Sequence, residues 1–370
     1  FSLPTPEFFD NNGNRDGVVQ LAEVQGSCAF ILANNITPVP GYCGLSAARQ
    51  ATYASLFTGE VISDPLNIRY TNWLPNFNAK LDFGNGVLVR GAISKGISRP
   101  DLSAFTSGGG AYDNTNNLRA GGLLATGPLL AINTGNRFLR PVESVNYDLS
   151  VEWYWADIGS LTVSGFVKDI SNIVNSGAIV RPFVTPKGVN TDILFNTPVN
   201  SDGGTLKGVE VAYQQTYDFL PGLLSGLGAG MTYTYVDAGD FNNASLGSEQ
   251  SPLSGGLPLA GVSKHTINAV GFYEKGPLSF RLAYNWRSEF VQTPRDVIFP
   301  FSPIYGEATG QLDGSIFVSV TKQLKLGIQG VNLLDEVTQT SQVIDFDGTR
   351  ATRSAFRNDR RFTFLARFEF

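Results

Sequence analysis

The sequence predicts an all-β chain: a transmembrane, antiparallel, up-and-down β-barrel of which about eleven strands lie in this segment. Three observations carry that expectation. Apolar and polar residues alternate with period two over unusually long segments, short and long connections alternate between those segments, and charge is scarce. Of 370 residues, 16% are charged, 42% hydrophobic and 12% aromatic, and 27 Lys and Arg against 32 Asp and Glu give a net charge of −5. Soluble domains carry about 25% charged residues, so little of this surface is built for bulk water. A mildly acidic chain without a Lys/Arg cluster offers nothing to a phosphate backbone, which excludes nucleic acid as a partner. No run approaches the ~18 consecutive apolar residues of a membrane helix, so helical transport is excluded and a bilayer would be crossed by strands.

Residues 1–67 lack the alternation and read as a large extracellular loop region, apart from the strands of 68–370. The chain opens Phe1-Ser2-Leu3-Pro4, with no initiator Met and no leader pattern, so further residues are expected before it. Cys28 and Cys43 share a loop-like stretch and are expected to form a local disulfide in an oxidising compartment; two unrelated buried thiols are the other reading. Two Cys and one His are too few for a zinc site of the usual ligand number, and no metal or cofactor is expected.

Strands are then expected near 69–83, 86–99, 145–156, 160–175, 204–218, 227–238, 263–274, 277–291, 309–320, 324–334 and 357–370. Tyr147, Leu149, Val151, Trp153 and Trp155 alternate with Asp148, Ser150, Glu152 and Tyr154, giving one apolar and one polar face. Leu278–Arg287, Leu312–Val320 and Phe362–Phe370 repeat the pattern. Several segments reach 12 residues or more, against about five or six in globular sheets, and a tilted membrane strand needs about nine to eleven.

Gly84-Asn85-Gly86, Asp157-Ile158-Gly159, Glu274-Lys275-Gly276-Pro277 and Thr321-Lys322-Gln323 read as tight turns, and Leu220 to Gly226 as a slightly longer one. Between them lie long connections near 100–144, 176–203, 239–262, 292–308 and 335–356. Short periplasmic turns and long extracellular loops give this asymmetry. A first strand descending from the cysteine loop and a last strand ending on the periplasmic side require an odd count. Single-chain bacterial barrels have even counts, so an odd number of further strands is expected outside this segment. An open sheet in lipid leaves unsatisfied edges costing several kcal/mol per group, so the segment is not expected to insert alone.

Outward residues meet hydrocarbon and inward ones a polar lumen. Trp73, Trp153, Trp155 and Trp286, with Tyr147, Tyr213, Tyr233, Tyr235 and Tyr284, are candidates for interfacial girdles. Parity turns Glu152, Lys168, Glu210, Arg281, Arg287, Asp313, Lys325, Gln329, Arg367 and Glu369 inward. Most are expected to pair across strands. Toward the extracellular end, Arg99, Lys168 and Arg287 are candidates for lining a polar solute's route. The loop aromatics Tyr112, Phe183, Phe241, Phe299, Phe301 and Tyr305 offer faces for stacking on a ring.

Four stretches resemble the C-terminal barrel of TonB-dependent outer-membrane receptors: Ile97 to Ser103, Asn146 to Tyr154, Gly208 to Gln215 and Gly330 to Glu336. Gly135 to Tyr154 is similar to a phrase of the branch common in Caulobacter-like and Xanthomonas-like proteobacteria, and the resemblance spans about residues 68 to 370. It implies the twelfth to last strands of a barrel of about 22 strands around a plug. Neither the plug nor the segment that recruits TonB lies in this sequence. Implied partners are TonB, the chain's own plug, outer-membrane lipid, the barrel assembly machinery and a small polar solute. Phe370 ends an aromatic alternation similar to the family's C-terminal assembly signal, and reads equally as one more lipid-facing residue.

The implied function is TonB-energised uptake of a scarce solute at the bacterial outer membrane, an oligosaccharide first, with a ferric siderophore or cobalamin as the alternative. A structural or adhesin-type barrel without transport is the reading from another class. An enzyme is not expected, and no catalytic residue is assigned. His265 is the sole imidazole and opens a strand, Gly226 to Gly230 is followed by no helix, and Gly222 to Gly226 lacks the glycine spacing of a nucleophile elbow.

Overall fold

A computed structural model describes residues 2–10, 15–62, 68–106, 108–185, 187–241, 256–294, 296, 302–345 and 348–369. In chain order the helices are α1 (Glu7–Asp10), α2 (Leu21–Ala33), α3 (Ala47–Ser55) and α4 (Thr115–Ala120). The strands of the first half are β1 (Asn76–Asp82), β2 (Val87–Ser98), β3 (Tyr112–Asp113), β4 (Leu130–Asn133), β5 (Val142–Ala156), β6 (Gly159–Ser171), β7 (Ile173–Val184), β8 (Asn190–Ser201) and β9 (Gly204–Thr216). Those of the second are β10 (Leu227–Asp237), β11 (His265–Lys275), β12 (Leu278–Arg287), β13 (Phe290–Thr293), β14 (Ile304–Gly306), β15 (Thr309–Ser319), β16 (Leu324–Val331), β17 (Val337–Val343), β18 (Arg350–Arg357) and β19 (Arg361–Phe368).

Eleven of them form one sheet in the order β1-β2-β5-β6-β9-β10-β11-β12-β15-β16-β19, and these are the segments that alternation marked. Every neighbouring pair is antiparallel. Register places like with like, because directly opposed residues share a face. Val163 lies opposite Val151 and Val211, while its chain neighbour Ser164 lies opposite Ser150 and Glu210. The outward row is exposed: Leu149 keeps 58% of its accessible surface and Trp153 keeps 48%.

Tight turns close the wall at one end. In the first, Gly84, Asn85 and Gly86 have φ of 75°, 51° and 77°, the left-handed region where Gly and Asn are least strained. The inward face is not uniformly polar, and three of its aromatic exceptions share one cause. Phe166, Phe272 and Phe317 lie directly opposite Gly208, Gly228 and Gly327. A Cβ on Gly228 would come within 2.1 Å of the Phe272 ring, so each inward ring lies over a neighbour that has no side chain.

Beyond the long-connection end, two four-stranded sheets, β3-β4-β8-β7 and β13-β14-β17-β18, extend the wall. The described residues of 2–62 form a helical cap rather than a bare loop. Its core joins Leu3, Phe9, Val24, Tyr53 and Leu56 to Leu130, Ile132, Ile193 and Phe195 of the first small sheet. Phe9 meets Tyr42, Tyr53 and Phe57 edge-on at centroid distances of 5.4, 6.1 and 5.1 Å, the geometry ring quadrupoles favour. Cys28 on α2 is disulfide-bonded to Cys43, 15 residues on.

Gly41 sets how closely α4 approaches this cap. Its N–H donates to Asn116 Oδ1 at 2.7 Å, and a Cβ there would lie 2.1 Å from the Thr115 carbonyl oxygen. Gly41→Ala is therefore expected to cost about 1–3 kcal/mol through overpacking. Faster amide exchange of α4 with an unchanged barrel sheet is the measurement that checks it.

Candidate functional site: the inward wall and its mouth

The inward wall is built from short polar side chains and paired charges. Arg90 Nε donates to Glu152 Oε1 at 2.8 Å, and Ser150 and Tyr154 donate to the same carboxylate at 3.2 and 2.9 Å. Three donors therefore hold Glu152. Thr234 Oγ1 donates to Glu210 Oε2 at 3.0 Å. Asn78, Lys80, Arg90, Ser150, Ser164 and Glu210 help line a hollow of about 740 Å³. Beside it Thr162, Gln214, Thr232, Asn268, Arg281 and Asn285 help line one of about 350 Å³. These groups offer many hydroxyl and amide donors and acceptors.

At the outer end of β16, Asn332 has φ 57° and is buried. Its amide oxygen accepts from Glu336 N at 2.8 Å, its amide nitrogen donates to the Asn358 carbonyl, and Asp313 Oδ1 accepts from Asn332 N at 2.9 Å. The Gly330–Glu336 motif is thus a structural clasp. The Arg357 guanidinium bonded to Asp335 holds its carboxyl below the usual carboxylate range. A depressed pKa contributes stability above the carboxylate's ordinary pKa and loses it as pH falls through the lowered value. Protease resistance of residues 332–357 is expected to drop with that acid step in the wild type, and Asp335→Asn is expected to abolish the step.

The mouth is set by the two small sheets. Tyr112 Oη donates to Asn133 Oδ1 at 3.1 Å, and Asn196 Nδ2 donates to Tyr112 Oη at 2.9 Å and to Asn133 Oδ1 at 3.1 Å. On the other sheet the Arg350 guanidinium lies 3.6 Å from the Tyr305 ring centroid and donates to Glu289 at 2.9 Å, and Arg353 donates to Asp296 at 2.6 Å.

The candidate residues separate on this geometry. Arg99 is exposed just past β2. Lys168 faces inward on β6, opposite Asn146 and Leu206, its ammonium 5.8 Å from the Phe166 ring. Tyr112 is 38% exposed. These three belong to different elements at one end of the wall. The other four do not present the free groups expected of them. Arg287 donates to Ser263 Oγ at 2.8 Å and to the Gly261 carbonyl at 3.1 Å, and covers the Phe290 ring. Phe183 packs on Phe195 beside Arg181, Phe241 is 4% exposed with Gly204 against its ring, and Arg350 covers Tyr305. Each is spent on joining a long connection to its neighbours, which a linear sequence does not display. Phe299, Phe301 and Phe370 lie outside the described residues. His265 sits in the outer aromatic row, its Nδ1 2.9 Å from Tyr233 Oη. The amides Asn133 and Asn196 escaped sequence reasoning, and polar residues on an otherwise apolar alternating strand were the available signal.

The sequence matches the family model described as TonB dependent receptor-like, beta-barrel, over residues 44–333. No curated protein matches it. A variant of the ferric enterobactin receptor PfeA from Pseudomonas aeruginosa is similar with a TM-score of 0.53 at 16% identity, covering 80% of this chain and 40% of that one. A second variant of that receptor, in complex with enterobactin, gives 0.52 at 16% identity with the same coverage, 80% and 40%. The siderophore receptor PirA from Acinetobacter baumannii gives 0.49 at 14% identity, covering 81% and 41%. The chain thus spans about two fifths of the length of the solved structures it matches. At these identities the likeness to PfeA establishes the fold.

Proposed function

Because this chain belongs to the TonB dependent receptor-like β-barrel family, whose members are outer-membrane transport receptors, we propose that it is the C-terminal part of a barrel that takes up an oligosaccharide by TonB-energised transport. Its place is then the bacterial outer membrane, with lipid, TonB, a plug and the barrel assembly machinery as partners. Among the described residues β1 and β19 each pair on one side. Unpaired backbone groups in hydrocarbon cost several kcal/mol each, so both edges call for further strands to close the cylinder.

One observation carries the substrate class. The inward wall pairs Arg90 with Glu152 beside Ser150 and Tyr154, and its two hollows are lined by hydroxyl and amide groups, among them Thr162, Ser164, Gln214, Thr232, Asn268 and Asn285, together with Lys80 and Arg281. A neutral, polyhydroxylated solute finds many partners there, and hydroxyl and amide groups outnumber Lys80 and Arg281, the cations an anionic ferric chelate would engage. Arg99, Lys168 and Tyr112 are proposed to line its route at the mouth.

The test is uptake by cells lacking the receptor and by the same cells carrying the full-length gene. Labelled oligosaccharides and ferric siderophores are each supplied at limiting concentration. Restored oligosaccharide uptake that also requires TonB supports the reading. Restored ferric-siderophore uptake overturns the substrate class, and restored uptake of neither solute leaves the adhesin-type barrel in its place.

A further inference from the structure

We propose that Tyr112, Asn133 and Asn196 form a sugar-binding subsite on the face of the first small sheet that turns away from the cap. The inference rests on the oligosaccharide reading above and names one place at the mouth where a neutral sugar ring is held. Register sorts the two faces of this sheet. Leu130 and Ile132 lie opposite Ile193 and Phe195, and all four are buried in the core shared with the cap. Ala131 and Asn133 lie opposite Leu194 and Asn196, and Tyr112 lies opposite Ala131. Tyr112, Asn133 and Asn196 therefore share the other face.

The Tyr112 ring lies along this face rather than standing out from it. It starts opposite Ala131, yet its Oη donates at 3.1 Å to Asn133 Oδ1, further along β4, and accepts at 2.9 Å from Asn196 Nδ2 on the next strand. One side of the ring is thus turned to the sheet, where Ala131 is fully buried, and the other to solvent, which leaves the tyrosine 38% exposed. A flat, half-exposed aromatic surface with polar atoms at its far edge suits a sugar, whose ring has an apolar C–H face and a hydroxylated rim.

The amides at that edge are fixed in orientation. Asn133 Oδ1 accepts from Tyr112 Oη and, at 3.1 Å, from Asn196 Nδ2, which spends both of its hydrogens on these two neighbours. Among the described residues Asn133 Nδ2 and Asn196 Oδ1 have no hydrogen-bond partner. Asn133 and Asn196 are directly opposed on adjacent strands, so a donor and an acceptor stand side by side. Two neighbouring sugar hydroxyls, each able to donate and accept, match that pair. An exposed asparagine is ordinarily only solvated and free to turn; here Tyr112 sets both amides before a sugar arrives, which lowers the entropy cost of binding. The flank is open as well. A Cβ on Gly109 would lie 3.3 Å from the Asn133 carbonyl oxygen, and one on Gly108 would meet nothing within 4 Å. All three side chains are uncharged, which fits a neutral sugar and not an anionic chelate.

The test is calorimetric titration of the full-length receptor in detergent with maltohexaose, cellohexaose and xylohexaose, and separately with a ferric tris-catecholate, beside Asn133→Asp and Tyr112→Ala. Asn133→Asp keeps the oxygen that accepts from Tyr112 and Asn196 and turns only the free donor into an acceptor. Asn133 is exposed, so its variant is expected to fold with an unchanged thermal midpoint. The wild type should bind at least one of the sugars, Asn133→Asp should bind that sugar about tenfold more weakly for the lost hydrogen bond, and Tyr112→Ala, which removes the ring and frees both amides, should bind it more weakly still. Asn133→Asp binding as tightly as the wild type overturns the subsite and leaves the oligosaccharide reading standing. Binding of none of the sugars also overturns the subsite, and binding of the ferric tris-catecholate in their place overturns the oligosaccharide reading with it.

Discussion

Val163→Arg is expected to destabilise the full-length receptor in bilayers by ~2–4 kcal/mol, while Ser164→Arg, one residue along, is expected to stay within about 0.5 kcal/mol. Val163 stands in the outward row between Val151 and Val211, well inside the ends of β6, and 42% of it is exposed. In a bilayer that exposure is to hydrocarbon, where a guanidinium near the midplane loses its hydration. Ser164 points the other way and stands opposite Glu210. An arginine there reaches water and a carboxylate. Reversible urea unfolding in lipid vesicles reads both values. Equal costs, or a larger cost at Ser164, would mean that the polar row is the dry one, as in a soluble sandwich, and the reading of the two faces would fail.

That contrast rests on what was most legible in the sequence. Period-two alternation needs no tertiary information, so Tyr147 to Trp155 identifies both β5 and its outward face. Strand ends were less legible. Strand expected over 160–175 stops at Ser171 because Asn172 takes φ 58° and starts the separate strand β7. Strand expected from 69 begins at Asn76.

In the sequence most of the residues of the two small sheets fall in the long connections. β8 nevertheless buries Ile193, Phe195, Thr197 and Val199 in strict alternation. Its partner β4 lies about 60 residues earlier, across a parallel pairing that local patterns do not reveal. The helical cap was hidden because α2, with apolar residues spread along Leu21–Ala33, has no clear polar face to display helical period. At the site, parity located the inward charges but not their partners. Arg287 is an inward residue as expected, yet its neighbour Ser263 is set by the geometry of a long connection.

Replacing both cysteines, Cys28→Ser with Cys43→Ser, is expected to lower the cap's local stability by about 3 kcal/mol, the chain-entropy value for a loop of ~15 residues. The bridge ties α2 to the turn that precedes α3, and both helices feed the core that holds Ile193 and Phe195 of β8. Without it the open state of residues 2–62 gains freedom, while the folded cap keeps its aromatic contacts. The barrel sheet has hydrogen-bond ladders of its own and shares no covalent link of this kind. Amide exchange in α2 and α3 should therefore quicken on the order of 10²-fold, with the strands from β5 to β12 unchanged. Matching protection of α2 and α3 in both proteins would show that burial of Phe9, Tyr53 and Leu56 alone holds the cap shut. Loss of protection through the barrel as well would show that cap and wall unfold as one unit.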